Sequence, residues 1–329
     1  MLYEKDGDLS LIRGRRVAVL GYGAQGRAQA LNLRDSGVDV VVGLREGSAS
    51  AAAAEAAGLA VATPAQAVKT ADVVVLLVPD SVQPGLYSDV IAPSLRAGGA
   101  LIFAHGYNIH YKYVIPRADL DVCLVAPLGV GEQVRAVYER GGGTPGMIAV
   151  QQDVSGQARA LALSYALANG HGRAGIIETS FGEETETDLF AEQAVLCGGL
   201  THLIEAGFDT LVAAGYNPQV AYFCCLHEVK LLADLIHSRG IAGMRESISQ
   251  IAEFGDYTRG PRVINAETRR QMRELLAEIQ DGRFARELGT ELARGAPRIE
   301  AGRAASREHL LEEVGARLRA RMPWLKSGI

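Results

Sequence analysis

Arg16-Val17-Ala18-Val19-Leu20-Gly21-Tyr22-Gly23-Ala24-Gln25-Gly26 is the stretch whose reading decides the fold. A short apolar strand runs straight into a glycine-rich turn, and a helical pattern over residues 24–36 follows. Strand, GxGxxG and helix in that order form the context in which the motif holds a dinucleotide. Gly21 permits the tight turn, Gly23 lets a pyrophosphate approach the backbone, and Gly26 lets helix and strand pack closely. The free N–H groups at the helix start complete an anion site.

Working outward, apolar runs at 17–20, 38–42, 73–78, 100–104, 122–125, 147–150 and 174–177 read as strands buried on both faces. Periodic segments at 24–36, 49–57 and 155–168 lie between them as helices. This rhythm predicts an α/β fold, with an N-terminal Rossmann domain on a doubly wound parallel sheet over residues 1–180. After Phe181 the strand signals stop. Segments near 184–206, 208–214, 218–238, 265–280 and 306–321 carry apolar residues at helical spacing, with breaks expected at Gly207, Gly215-Tyr216-Asn217-Pro218 and Gly240. Residues 181–329 are therefore predicted to form an all-α domain.

Composition narrows the function. Of 329 residues, 48% are apolar and 22% charged, with a net charge of −5, so there is no basic footprint for nucleic acid or an anionic membrane. The charged start MLYEKDGDLS speaks against a secretory signal, and no apolar run reaches the roughly 18–20 residues that cross a bilayer. Cys123, Cys197, Cys224 and Cys225 show no metal-ligand spacing, and the adjacent pair is poorly placed to bond to itself. A reducing cytoplasmic compartment is expected.

The second strand bears on the choice of cofactor. It ends in Val42-Gly43-Leu44-Arg45-Glu46-Gly47-Ser48-Ala49-Ser50, where Arg45, Ser48 and Ser50 suit a 2′-phosphate and hence NADPH. Glu46 is the counter-signal, because a carboxylate there takes ribose hydroxyls and leaves NADH possible. In the helical half, Glu183-Glu184-Thr185-Glu186-Thr187-Asp188-Leu189-Phe190-Ala191-Glu192 is rich in acids. Asp188 and Glu192 are four apart and share a face, where their repulsion is relieved by a bound Mg²⁺. An acidic run of this kind is also what a solvated helix face looks like. His227-Glu228 is a weaker signal of the same sort.

Taken in order, these motifs resemble the short, class I ketol-acid reductoisomerases over essentially the whole chain. The resemblance rests on the glycine turn, Val78-Pro79-Asp80-Ser81-Val82-Gln83, Phe103-Ala104-His105-Gly106-Tyr107-Asn108-Ile109-His110 and the acidic run. Gln193-Ala194-Val195-Leu196-Cys197-Gly198-Gly199, Gly255-Asp256-Tyr257, Gly260-Pro261-Arg262-Val263-Ile264, Ile279-Gln280-Asp281-Gly282 and Met322-Pro323-Trp324-Leu325 extend it. It implies a two-step reaction: alkyl migration in a 2-hydroxy-3-oxo acid held by two Mg²⁺ ions, then reduction of the new ketone by NADPH. It also implies that Tyr22, Gly23, Ala24, Gln25, Arg45, Ser48, Ser50, Asp80, Ser81, Val82, Gln83 and Gly131 touch the cofactor and that His105 is the active-site histidine. Asp188, Glu192 and Glu228 would be metal ligands and Ser249 a substrate contact. Glu228 and Ser249 would come from the other subunit of an interlocked homodimer.

The departures fall in the chemistry. Where such enzymes usually read Ala-Pro-Lys-Gly-Pro-Gly-His, this chain has Ala126-Pro127-Leu128-Gly129-Val130-Gly131-Glu132, so Leu128 stands at the lysine position. Cys224 stands where a metal-binding glutamate is usual, four residues before Glu228, and a thiol is a poor ligand for Mg²⁺. Glu246 replaces a tyrosine near Ser249. Glu132 and Glu246 are new acids that either restore an acid/base group or ligand, or face solvent. Three readings follow: a reductase of a ketone or imine whose migration step is lost or redirected, a working reductoisomerase converting acetolactate to dihydroxyisovalerate, or a non-catalytic cofactor binder.

Overall fold

Along β1 (Arg16–Leu20) the side chains alternate between two cores. Val17 and Val19 join one buried cluster, Ala18 and Leu20 the other. The period of two that a strand imposes thus places both rows in apolar surroundings. The computed structural model describes residues 1–323; the motif residues Trp324 and Leu325 lie outside them. The chain divides into two compact units, Met1–Thr187 and Asp188–Ile329.

The first unit is an eight-stranded sheet in the order β3-β2-β1-β4-β5-β6-β7-β8. Its other strands are β2 (Asp39–Gly43), β3 (Ala60–Ala62), β4 (Val73–Leu76), β5 (Ala100–Phe103), β6 (Asp121–Pro127), β7 (Gly146–Gln152) and β8 (Ile176–Glu178). The order reverses at β1: β2 pairs with it on one side and β4 on the other, both parallel. A crevice for a ligand opens at the carboxyl ends of the strands at such a switch point. Residues of β4 and β5 are buried throughout, as expected where helices cover both faces.

Two features differ from the expected sheet. β3 has three residues, Ala-Val-Ala, too few to show the period of a strand. β7 pairs antiparallel with β6, so the sheet is mixed. The reason lies in the connection. The helix Gly131–Glu139 packs on the helix Ala24–Asp35, and the chain turns back through Gly141, whose φ is 82°. β7 therefore enters at the end where β6 left, with Gly146 opposite Pro127.

His171, fully buried beside β7, gives this unit a pH-dependent element. Its Nδ1–H donates to the Thr144 carbonyl at 2.8 Å, and Nε2 has no partner among the described residues. Burial lowers its pKa to about 4. The unfolded chain therefore binds a proton that the native state refuses as pH falls from about 6.5, and stability drops through that window. The expected loss is on the order of 3 kcal/mol between pH 6.5 and 4. A ¹³C NMR titration in which this imidazole protonates above pH 6 would remove the prediction.

The second unit is wholly helical, as expected. Asn217 caps the helix Pro218–Tyr222 by accepting from the Gln219 N–H, with Pro218 in its first turn, so the expected break there is real. Gly240 kinks the helix Glu228–Ser247 with φ 70° and ψ 173°. Gly207 does not break anything: it lies inside the helix Gly198–Ala213, because glycine weakens a helix without ending one. The helices Gln250–Val263, Arg283–Ala293 and Pro297–Glu308 have no counterpart in the expected pattern. The fully buried core of this unit is small, built on Phe208, Tyr222, Leu311 and Val314.

Among the described residues one helical course, Phe181–Ala213, is long and apolar enough to cross a membrane by length and composition alone, with a mean hydropathy of 1.2 over 18 residues. His202 and Glu205 still interrupt its apolar run, as the sequence indicates.

Candidate active site

The glycine turn has the geometry its residues imply. Gly21 adopts φ 103°, and a Cβ there would come within 2.7 Å of the Leu77 carbonyl oxygen. At Gly26 a Cβ would collide with the Gly21 carbonyl oxygen, while the space beside Gly23 is open. Two of the residues expected at the cofactor also have roles inside the fold. The Tyr22 ring is buried in the apolar core, which raises its pKa. The Gln25 side chain is used internally: its amide donates to the Gly129 carbonyl at 2.9 Å and accepts from Gln29. Gln29 in turn accepts from the Tyr165 hydroxyl at 2.7 Å. Through this chain the glycine turn is braced against the loop after β6. Gly131 presses on the same turn, leaving no room for a Cβ beside Ala24.

Beside the turn lies a cleft of about 210 Å³, lined by Gln25, Val78, Asp80, Gln83, His105 and Pro127 among others. Asp80, Ser81 and Val82 form a short helical turn after β4. On the other side of β1, Arg45 and Glu46 are exposed, Ser48 and Ser50 half-buried, and the Ser50 N–H donates to the Ser48 hydroxyl. The switch point thus has the cleft on one side and the Arg45 loop on the other.

His105 follows β5 into this cleft. Its Nδ1 is 2.9 Å from Glu184 Oε1, and the Gly106 N–H donates to Glu184 Oε2 at 2.8 Å. Glu184 is only 2% exposed. A buried carboxylate that holds Nδ1 orients the imidazole, as an acid/base histidine requires. Gly106 is necessary here, because a Cβ would collide with Thr185 Oγ1 and the Phe181 carbonyl. Sequence reasoning passed over Glu184. Its signal was the spacing: Glu184, Asp188 and Glu192 recur every four residues, so the three share one helical face.

In the loop after β6, Leu128 is 43% exposed, and Glu132 is exposed in the first turn of the helix Gly131–Glu139. No side-chain partner marks Glu132 as part of the cleft. In the helical unit Asp188 is half-buried, whereas Glu192, Cys224, Glu228, Glu246 and Ser249 are exposed. Glu192 opens one π-helical turn, Glu192–Leu196, and Cys224 lies within another, Phe223–His227. Such turns distort the hydrogen-bond ladder and concentrate at functional sites. Ser249 has a structural duty that the sequence did not announce: its hydroxyl accepts from the Ala252 N–H and caps the helix Gln250–Val263. Among the described residues no three metal-donor atoms converge within this unit. Glu192, Gln193, Cys197, His202 and Gln271 instead line an open groove of about 660 Å³.

Comparison with known proteins agrees with this layout. Residues 11–175 match the family model for the acetohydroxy acid isomeroreductase NADPH-binding domain, and residues 181–324 that for the ketol-acid reductoisomerase C-terminal domain. A solved NADH-preferring ketol-acid reductoisomerase from an uncultured archean is 45% identical, with a TM-score of 0.94 over 97% of this chain and 98% of its own. A semialdehyde dehydrogenase NAD-binding protein from Cupriavidus necator shares the fold at 18% identity, with a TM-score of 0.62 over 81% of this chain and 99% of its own. So does a putative oxidoreductase from Jannaschia sp., at 16% identity with a TM-score of 0.60, over 81% and 97%. With both family models matched in sequence order and a relative at nearly half identity along almost its whole length, this chain belongs to the ketol-acid reductoisomerase family of nicotinamide-dependent oxidoreductases.

Proposed function

We propose that the chain is a reductase that transfers hydride from NADPH to the ketone or imine carbon of a keto-acid-like substrate, with the alkyl-migration step lost or redirected. The observation that carries this reading is the contrast between the cleft and the loop at its edge. The His105–Glu184 pair, a proton source held ready, is intact beside the glycine turn, while the lysine position of the next loop is Leu128. NADPH would supply the hydride for the carbon, and His105 would supply the proton for the oxygen or nitrogen, leaving a neutral imidazole to be reprotonated from solvent. Leucine has no proton to give and no charge to place.

The test is a cofactor-oxidation screen across 2-keto acids, cyclic imines and acetolactate, with and without Mg²⁺. Turnover of a keto or imino acid but not of acetolactate is expected. Conversion of acetolactate would instead establish a working reductoisomerase. No turnover of any substrate would leave a cofactor-binding scaffold.

The donor chemistry fits one hard cation better than two. Asp188, Glu192 and Glu228 supply carboxylates that would hold Mg²⁺, while the exposed thiol of Cys224 suits it poorly. When bound, the ion supplies a Lewis acid for the substrate oxygen. The assembly supported best is a homodimer. Leu196, Leu203, Val220, Leu231, Ile251 and Phe254 of the helical unit are all at least half exposed, more apolar surface than a stable monomer presents to water.

For the cofactor, Arg45 with Ser48 and Ser50 supports NADPH. Arg45→Ala should weaken NADPH about tenfold and leave NADH within twofold, since only the 2′-phosphate loses its guanidinium. Equal affinities in the wild type, with Arg45→Ala silent for both, would point to Glu46 on the ribose hydroxyls.

A further inference from the structure

We infer that Asn108 is a positioning residue for the nicotinamide half of the cofactor site. It holds the loop after β4 against the turn that carries His105. The inference rests on reading the cleft as the dinucleotide site.

Asn108 lies three residues beyond His105 in the helix Tyr107–His110 and is 1% exposed. It does not line the cleft; it stands behind it. Its side-chain amide donates to the Asp80 carbonyl at 3.0 Å and to Gln83 Oε1 at 3.0 Å. The Gln83 amide donates onward to the Val78 carbonyl and to Asp80 Oδ1, both at 3.1 Å. Every N–H of the two amides is therefore used. Turning either amide over would set oxygen against oxygen, so the network has a single arrangement. Val78, Asp80 and Gln83 are themselves walls of the cleft. Glu184 pins the same turn from its other end through the Gly106 N–H.

The topology says which half of the cofactor this network serves. A dinucleotide lays its pyrophosphate on the turn after β1 and sends its halves to opposite sides of the switch point. Arg45, after β2, marks the adenosine side; the loop after β4 and His105 lie on the other. A fault at Asn108 should therefore be felt by one half of the cofactor alone.

Asn108→Asp tests this, because it keeps the shape while exchanging both donors for an acceptor facing the Asp80 carbonyl and Gln83. NADPH binding is read by nicotinamide fluorescence, and 2′,5′-ADP serves as the probe of the adenosine half. The expected result is a rise of about tenfold in the NADPH Kd, with the 2′,5′-ADP Kd within twofold of wild type. Asn108→Ser keeps one donor, so it should give a smaller split of the same sign and serves if the aspartate variant fails to fold. Unchanged NADPH affinity in a folded variant overturns the inference, as does equal weakening of both probes, which marks Asn108 as general scaffold. A wild-type protein that binds neither NADPH nor NADH would instead bring down the cofactor reading, and this inference with it.

Discussion

Glu184→Ala lowers hydride-transfer turnover about a hundredfold while leaving the NADPH Kd within about threefold; this is the expected result, with its size set by what a positioned acid/base group contributes. The carboxylate does two things at once. It accepts from the Gly106 N–H and engages His105 Nδ1, so its removal unhooks the imidazole and orphans a buried backbone donor. The second effect costs about 1–3 kcal/mol of stability, and a thermal melt separates it from the first. Glu184→Gln makes the decomposition sharper. Glutamine keeps an acceptor for the Gly106 N–H but lacks the charge that favours a protonated imidazole, so turnover should fall while most of the stability stays. His105→Gln should lose at least as much turnover as Glu184→Ala, and the double variant little more, because the two residues act as one unit. If turnover in Glu184→Ala fell only in proportion to NADPH affinity, the pair would be scaffold rather than proton source. Single-turnover reduction at saturating NADPH decides the matter.

Glu184 also shows where the sequence could be read and where it could not. The Rossmann unit was legible because a strand buried on both faces writes itself as a run such as Val73–Leu76, and because Gly21 and Gly26 admit no side chain. β3 was not legible, since three residues of Ala-Val-Ala carry no period. The direction of β7 was hidden for a different reason: it depends on where the helix Gly131–Glu139 packs, and that contact is more than a hundred residues away in sequence. In the site, residues identified by type were found, but partnership was not. Gln25 was expected on the cofactor and also braces Gly129; Ser249 was expected on substrate and also caps a helix. Nothing in a linear string says that position 184 meets position 105. The helical half was read least well: the helix Arg283–Ala293 carries Phe284, Leu288 and Leu292 at helical spacing, a signal that sequence reasoning passed over.

Leu128→Lys combined with Cys224→Glu is expected to convert a protein inert towards acetolactate into one with measurable Mg²⁺-dependent turnover. The backbone of the first site does not depend on leucine. The Leu128 N–H donates to the Pro145 carbonyl, Gln25 holds the Gly129 carbonyl, and Gly131 rests against Ala24. The side chain itself is nearly half exposed, and Cys224 is exposed outright. Substitutions at such positions usually change stability by no more than about 0.5 kcal/mol, so a gain or its absence can be assigned to chemistry. Lysine restores a charge beside the cleft; glutamate restores a hard oxygen ligand where a soft sulfur now stands. By family resemblance both serve the migration step, so each single variant should recover much less than the pair. Acetolactate conversion by the unaltered chain would overturn the premise that these two positions switched the step off. A folded double variant that binds NADPH and still leaves acetolactate untouched would show that the change extends beyond them. Glu246 is then the next residue to revert to tyrosine, since it is exposed on the same helix that carries Glu228.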